Sequence, residues 1–225
     1  ATMRQAIEDS FARMYGRNKT APHGVAVVEM ERLAVILERY LRIERARGKD
    51  GWLPTHFEVA FGGAGRSTDE LSCQDAFELE TEQGLVLFSG RIDRIDRREG
   101  EARIIDYKST IPVAAKDIKE GRSLQLAVYA MALESLLMKD INCAEAAFVQ
   151  VGKKERREAL GRGPKKDEWG DRQEKVREQI ASVVAGIRAG QFQPAPTTKD
   201  ACSYCGARNA CRYEKGRVER KGAAS

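Results

Sequence analysis

No stretch of this 225-residue chain is apolar for long enough to cross a membrane, and its first residues are polar and charged rather than signal-like. The expected location is therefore the cytoplasm, with no membrane partner. Cysteine is sparse, five in all with three in the final 25 residues. That distribution is not the framework of a disulfide-rich secreted domain and reads instead as metal chemistry. Histidine is scarcer still, limited to His23 and His56. The run Gly62-Gly63-Ala64-Gly65 lacks the lysine and the following helix of a phosphate loop, so it reads as a turn. There is no helicase motif and no internal repeat. With 42% hydrophobic and 32% charged residues, the chain has the make-up and length of one substantial globular domain with an appendage.

The formal charge of +5 is unevenly placed. Between Lys153 and Lys166 there are seven basic residues against two acidic, and from Ala201 to the end six against two. Such segments are either solvated surface or contacts for a polyanion, since phosphate contacts dominate nucleic-acid affinity.

The informative stretch is Gly90 to Lys108, GRIDRIDRREGEARIIDYK. Two runs rich in isoleucine flank a charged turn at Glu99-Gly100, which is a hairpin signal. Centring the turn there sets Asp93 across from Asp106 and Ile95 across from Ile104, with Lys108 on the same face. Directly opposed like charges destabilise a sheet. Two carboxylates on a partly apolar surface need a task, and a hydrated Mg²⁺ or Mn²⁺ resolves their repulsion.

The remaining chain reads as an alternation of helices and strands. Helices are expected over Thr2–Tyr15 and Val25–Arg47, the second with a stripe of Met30, Leu33, Leu37, Tyr40 and Leu41. Strands follow at Leu53–Phe61, Asp75–Glu80 and Leu85–Arg97, the last running into the hairpin. Glu58 is an acidic candidate on the first of these strands, although edge glutamates are usually solvated. A largely apolar helix over Lys119–Met138 carries Gln125 and Tyr129 as a polar i, i+4 pair. A strand at Ala144–Val151, a mobile basic loop over Gly152–Gly170 and a helix over Asp171–Ala189 complete the pattern. Three parts result: a helical segment (1–50), a core (51–190) and a cysteine-rich appendage (191–225).

GRIDRID, then IDYKS, then Gln125 and Tyr129 in LQLAVYA, resemble the RecB-type branch of the PD-(D/E)xK nuclease superfamily. QFQPAP and CSYCGARNAC extend the resemblance to the nuclease domain of AddB-like helicase-nuclease subunits and to CRISPR-associated RecB-like exonucleases. It spans about Trp52 to Tyr213. The resemblance implies an α/β (α+β) fold with a restriction-endonuclease-like core, a central mixed β-sheet flanked by helices on both faces. It also implies a metal-dependent DNA exonuclease acting on single strands or ends, within an AddAB/RecBCD-like double-strand-break repair complex with a helicase-nuclease partner. Asp93, Asp106 and the Tyr107 carbonyl would hold Mg²⁺ or Mn²⁺, Lys108 would orient water or neutralise charge, and Gln125 and Tyr129 would place DNA.

Cys202, Cys205 and Cys211 would join a distant upstream cysteine around a [4Fe–4S] cluster, and an upstream histidine would complete the active site. Cys73, Cys143 and His23 do not fit those positions. The expectation is thus a C-terminal nuclease portion of a longer parent whose first cysteine and histidine lie outside this chain. The alternatives are a catalytically incomplete nuclease-fold module for DNA binding or assembly, and a zinc-stabilised interaction domain.

Overall fold

In the computed structural model, Met3–Arg17 and His23–Arg47 form helices α1 and α2. The structure describes residues 2–17, 23–47, 50–65, 67–109, 123–151, 156–161, 167–192, 202, 205–207, 210 and 211. The chain divides into two compact units, 1–181 and 182–225. The two helices meet through buried Ile7 and Ala34, with Arg4 and Glu31 paired at 2.6 Å along their exposed side.

Strands β1 (Leu53–Phe61), β2 (Phe77–Thr81), β3 (Gly84–Phe88), β4 (Gly90–Arg98) and β5 (Glu101–Lys108) follow. Helix α3 (Leu124–Ala132) continues as a π-helical turn over Leu133–Leu137 and leads to β6 (Asn142–Gln150), β7 (Arg156–Gly161) and helix α4 (Asp167–Arg188). The main sheet has five strands in the order β1-β4-β5-β6-β7, and β2 pairs only with β3. Its neighbours are antiparallel except for parallel β5 and β6, so the sheet is mixed, as expected for this α/β fold.

The turn at Glu99-Gly100 has φ of +41° and +83°, the second a value that favours glycine. It sets the hairpin register, with Ile95 across from Ile104 and Asp96 across from Arg103. Ile92, Ile95, Ile104 and Ile105 are all at most 1% exposed, so both faces of the hairpin are covered. Helix α2 covers one face, where Tyr40 and Glu44 reach Tyr107 and Arg94; helix α3 covers the other, where Gln125 reaches Asp106. Buried Phe148 and Val149 of β6 and Leu126 and Leu133 complete the core.

Several sequence expectations are corrected. Leu85–Arg97 is not one strand: β3 ends at Phe88 in the small sheet and β4 starts at Gly90 in the main one. The chain packs tightly where it changes sheets. A Cβ on Gly62 would lie 2.7 Å from the Ser89 Cβ, and one on Gly90 would lie 2.8 Å from Phe61 Cζ. The region expected as a mobile basic loop contains β7, antiparallel to β6 from Gln150↔Arg156 to Glu145↔Gly161. The segment is charged and lacks the apolar alternation by which a strand is read from sequence. The central helix keeps α-geometry only to Ala132, and residues 119–122 lie outside the described residues. On α4, Val176 and Ile180 are buried as expected, while Val183 and Ile187 are exposed.

Candidate active site

The β4–β5 ladder is paired as far as Arg94↔Ile105, and the next position inward from each strand is Asp93 and Asp106. There a side chain takes over from the backbone: the Tyr107 N–H donates to Asp93 Oδ2 at 2.8 Å. Asp106 is only 2% exposed. Its Oδ1 accepts from Gln125 Nε2 at 2.8 Å, and the same Nε2 lies 3.3 Å from the Tyr129 hydroxyl. Gln125 and Tyr129 thus act as the i, i+4 pair on one face of α3. The Tyr129 ring stands edge-on to Phe61, centroids 6.1 Å apart, and both press on the backbone of Gly90.

Asp106 Oδ2 sits 2.6 Å from Lys108 Nζ in a close ion pair, and among the described residues it has no partner of good hydrogen-bond geometry. Burial pushes the Asp106 carboxyl above its ordinary range, Lys108 opposes that shift and the nearby charge of Asp93 adds to it. A buried carboxylate beside a second carboxylate is a hard oxygen donor set. These residues fit a divalent cation of the Mg²⁺ or Mn²⁺ kind, which would relieve the charge repulsion between the two carboxylates.

The opposite face of the same hairpin holds a cluster that the sequence reading did not single out. Asp96 is fully buried between two arginines, accepting from Arg94 Nη2 at 2.9 Å and Arg103 Nε at 2.8 Å. Arg94 Nη1 also reaches Glu44 at 2.7 Å and the hydroxyls of Tyr107 and Tyr40 at 3.0 and 3.2 Å. The two hydroxyls are 2.8 Å apart. Burial raises the Tyr40 phenol well above an ordinary tyrosine, and its bond to Tyr107 adds to the shift. Arg98 and Arg103 stack at 4.4 and 5.0 Å on buried Trp52. The signal was the alternation Arg94-x-Asp96, charged residues at core positions of a strand. What it lacked was any sign that α2 supplies the partners.

Other sequence candidates lie apart from the carboxylates. His56 Nδ1 pairs with Asp69 at 3.0 Å, and Glu58 is exposed with its carboxylate 3.5 Å from Arg91. The side chain of His23 lies outside the described residues. Cys205 is exposed and Cys202 and Cys211 are half-buried; among the described residues no three His, Cys, Asp or Glu side chains are grouped to hold a metal ion.

A profile of the PD-(D/E)XK nuclease superfamily matches residues 2–212. Among curated proteins, the chain is similar to an ATP-dependent helicase/deoxyribonuclease subunit of Staphylococcus haemolyticus, 35% identical over 44% of this chain and 9% of that protein. An ATP-dependent helicase/deoxyribonuclease subunit of Bacillus pumilus is 30% identical over 61% of this chain and 11% of its own length. The Gene 69 protein of Mycobacterium phage L5 is 25% identical over 78% of this chain and 58% of its own. The chain therefore spans about a tenth of the helicase/deoxyribonuclease relatives and a little over half of the phage protein. With the profile covering nearly its whole length, the chain belongs to the PD-(D/E)XK nuclease superfamily.

Proposed function

We propose that this chain is a divalent-metal-dependent deoxyribonuclease domain that hydrolyses phosphodiester bonds exonucleolytically, at single strands or DNA ends. The observation that carries the reading is Asp106: buried, facing Asp93, held by Gln125 on one oxygen and 2.6 Å from Lys108 on the other. A carboxylate this deeply buried beside a second one is costly, and the cluster of Lys108 and Gln125 around it marks a functional site.

Asp93, Asp106 and the Tyr107 carbonyl would hold Mg²⁺ or Mn²⁺. When bound, the cation supplies Lewis acidity toward the phosphodiester and eases ionisation of the attacking water. The chain's own residues do the remaining work. Lys108, one strand repeat from Asp106, orients that water and offsets negative charge developing on the phosphate. Gln125 fixes the Asp106 rotamer through Oδ1, leaving Oδ2 to Lys108 and the cation, and Tyr129 carries that constraint to the edge of α3. The backbone of Tyr107 holds the Asp93 carboxylate from behind.

The helicase/deoxyribonuclease relatives support a place in a helicase-nuclease assembly that repairs double-strand breaks in the cytoplasm, with a helicase partner. In that setting Cys202, Cys205 and Cys211 would supply three ligands to a [4Fe–4S] cluster, and a fourth cysteine would come from elsewhere in the parent protein. Residues 51–190 would be the nuclease core, between the helical segment and the cysteine-rich appendage.

The test is Mn²⁺-dependent cleavage of end-labelled single-stranded DNA by this chain and by its Asp106→Ala variant. Release of labelled mononucleotides that disappears in the variant supports the reading. Equal cleavage by both removes Asp106 from the chemistry, and no cleavage by either favours the DNA-binding or assembly module.

A further inference from the structure

Arg91 lies two residues before Asp93 on β4, so its side chain leaves the same face of the sheet, about 7 Å along the strand. Its surroundings are built around it. One fork of the guanidinium, Nη2, donates to the Ala64 carbonyl at 2.9 Å. Gly65, at φ +94°, a conformation that side-chain-bearing residues rarely adopt, closes over the same nitrogen, and a Cβ there would lie 2.6 Å from it and push the guanidinium aside. The other fork, Nη1, faces the Glu58 carboxylate at 3.5 Å, longer than a hydrogen bond.

Glu58 is itself unusual. Phe57 pairs with Arg94 and Val59 with Ile92, which puts the intervening Glu58 across from Asp93. Its φ of +53° is a conformation that side-chain-bearing residues disfavour within a strand. It breaks the regular alternation at the position where a third carboxylate would otherwise join Asp93 and Asp106, and the carboxylate rests against Arg91.

An arginine that only pinned the turn over 62–65 would spend its donors on it. Arg91 does not: among the described residues Nε has no hydrogen-bond partner, the contact of Nη1 to Glu58 is loose, and the side chain remains 39% exposed. Lys108 stands at the reacting centre, 2.6 Å from Asp106, and does not reach along the strand that would bind there. A polyanion approaching two aspartates needs a cation whose donors are not used up, and a guanidinium fork matches a phosphate in two parallel bonds.

We propose that Arg91 is a phosphate-binding residue that seats the nucleic-acid strand beside Asp93 and Asp106, held ready by the Ala64 carbonyl and Gly65 and released to the phosphate from Glu58. The assignment rests on the nuclease reading and adds to it a residue that touches substrate. In the resting protein Glu58 occupies the guanidinium; in the complex a backbone phosphate replaces it, and the carboxylate turns to water.

The experiment measures binding of a fluorescent single-stranded oligonucleotide across a salt series, with cleavage removed by Asp106→Asn. Adding Arg91→Gln should weaken binding about tenfold, the loss of one charge-assisted contact. It should also flatten the dependence of log K on log salt by about 0.7, one phosphate fewer on a single strand. An unchanged slope with unchanged affinity overturns the proposal, as does a lower thermal midpoint with the slope retained, which marks a structural arginine. Glu58→Gln, in the same background, keeps Arg91 and removes its competitor. It should tighten binding several-fold, and unchanged or weaker binding overturns the proposal even if Arg91→Gln does not fold. If Asp106→Asn alone shows no salt-dependent binding, the nuclease reading falls and this assignment with it; if it binds and only the Arg91 and Glu58 variants are silent, this assignment alone falls.

Discussion

Tyr107 joins the two faces of the hairpin: its backbone N–H holds the Asp93 carboxylate at 2.8 Å, while its hydroxyl lies 2.8 Å from that of Tyr40 on α2. Strand alternation sends the side chain away from the carboxylates, yet the peptide group serves them. The buried ion cluster on the α2 face therefore sets the position of the peptide that orients Asp93. Support and chemistry are separated by a single layer of sheet.

Removing Asp96 tests that support. Asp96→Ala leaves Arg94 and Arg103 buried without their shared carboxylate, and breaking a buried pair in this way costs about 3–5 kcal/mol. Urea unfolding should show the midpoint falling steeply at unchanged m, or no folded protein at all. A loss under ~1 kcal/mol would mean that Glu44 and Trp52 suffice to hold the arginines.

Lys108→Ala addresses the chemistry instead. Lys108 is itself 30% exposed but pairs with buried Asp106, whose carboxyl burial already pushes up, so the variant should fold with that carboxyl protonated more readily and a lowered unfolding midpoint. Its cleavage rate should drop at least ~100-fold, the usual loss on deleting a group that stabilises transition-state charge. Retained cleavage would remove the lysine from the mechanism.

Gly90→Ala probes the crossing between the sheets. The added methyl would meet Phe61 Cζ at 2.8 Å and Tyr129 Cε1 at 2.9 Å, both atoms of ring systems that cannot flex away. Overpacking of this kind costs about 1–3 kcal/mol. Because Tyr129 leads through Gln125 to Asp106, the measured loss of nuclease rate should exceed what the unfolded fraction accounts for.

Acid should weaken the β1 edge through Asp69. Burial raises this carboxyl, but the N–H groups of Leu71 and Phe57 and the His56 ring outweigh it and hold the group below its ordinary range. A folded pKa below the unfolded one means the stabilisation is fully present above the unfolded value of about 3.9 and is lost as pH falls through the folded one. The thermal midpoint of Asp69→Asn should therefore lie below that of the natural chain near pH ~6, and the gap should close on acidification below about pH 4. A gap independent of pH would show that the carboxylate charge contributes nothing.

Much of this arrangement was legible in the residues. The hairpin register follows from Gly100 and from counting outward, because antiparallel pairing is local and each position on one strand names its partner on the other. The same counting set Asp93 and Asp106 side by side and Lys108 on their face. The polar pair Gln125 and Tyr129 was visible as a break in an apolar helix, and its spacing alone put both residues on one helical face.

The amino-acid sequence by itself determined what depends on neighbours along the chain: the hairpin, the helical stripes, and the sharing of one face by two carboxylates and a lysine. Only the tertiary structure decided what depends on elements far apart. It brought Gln125 to Asp106, Tyr40 and Glu44 to Arg94, and Glu58 and Ala64 to Arg91, and it gave the charged segment at Arg156–Gly161 a strand partner in β6. The physical reason is that a buried charge is tolerable only when a partner meets it. Local periodicity marks where such a charge lies, and packing between distant elements supplies what it meets.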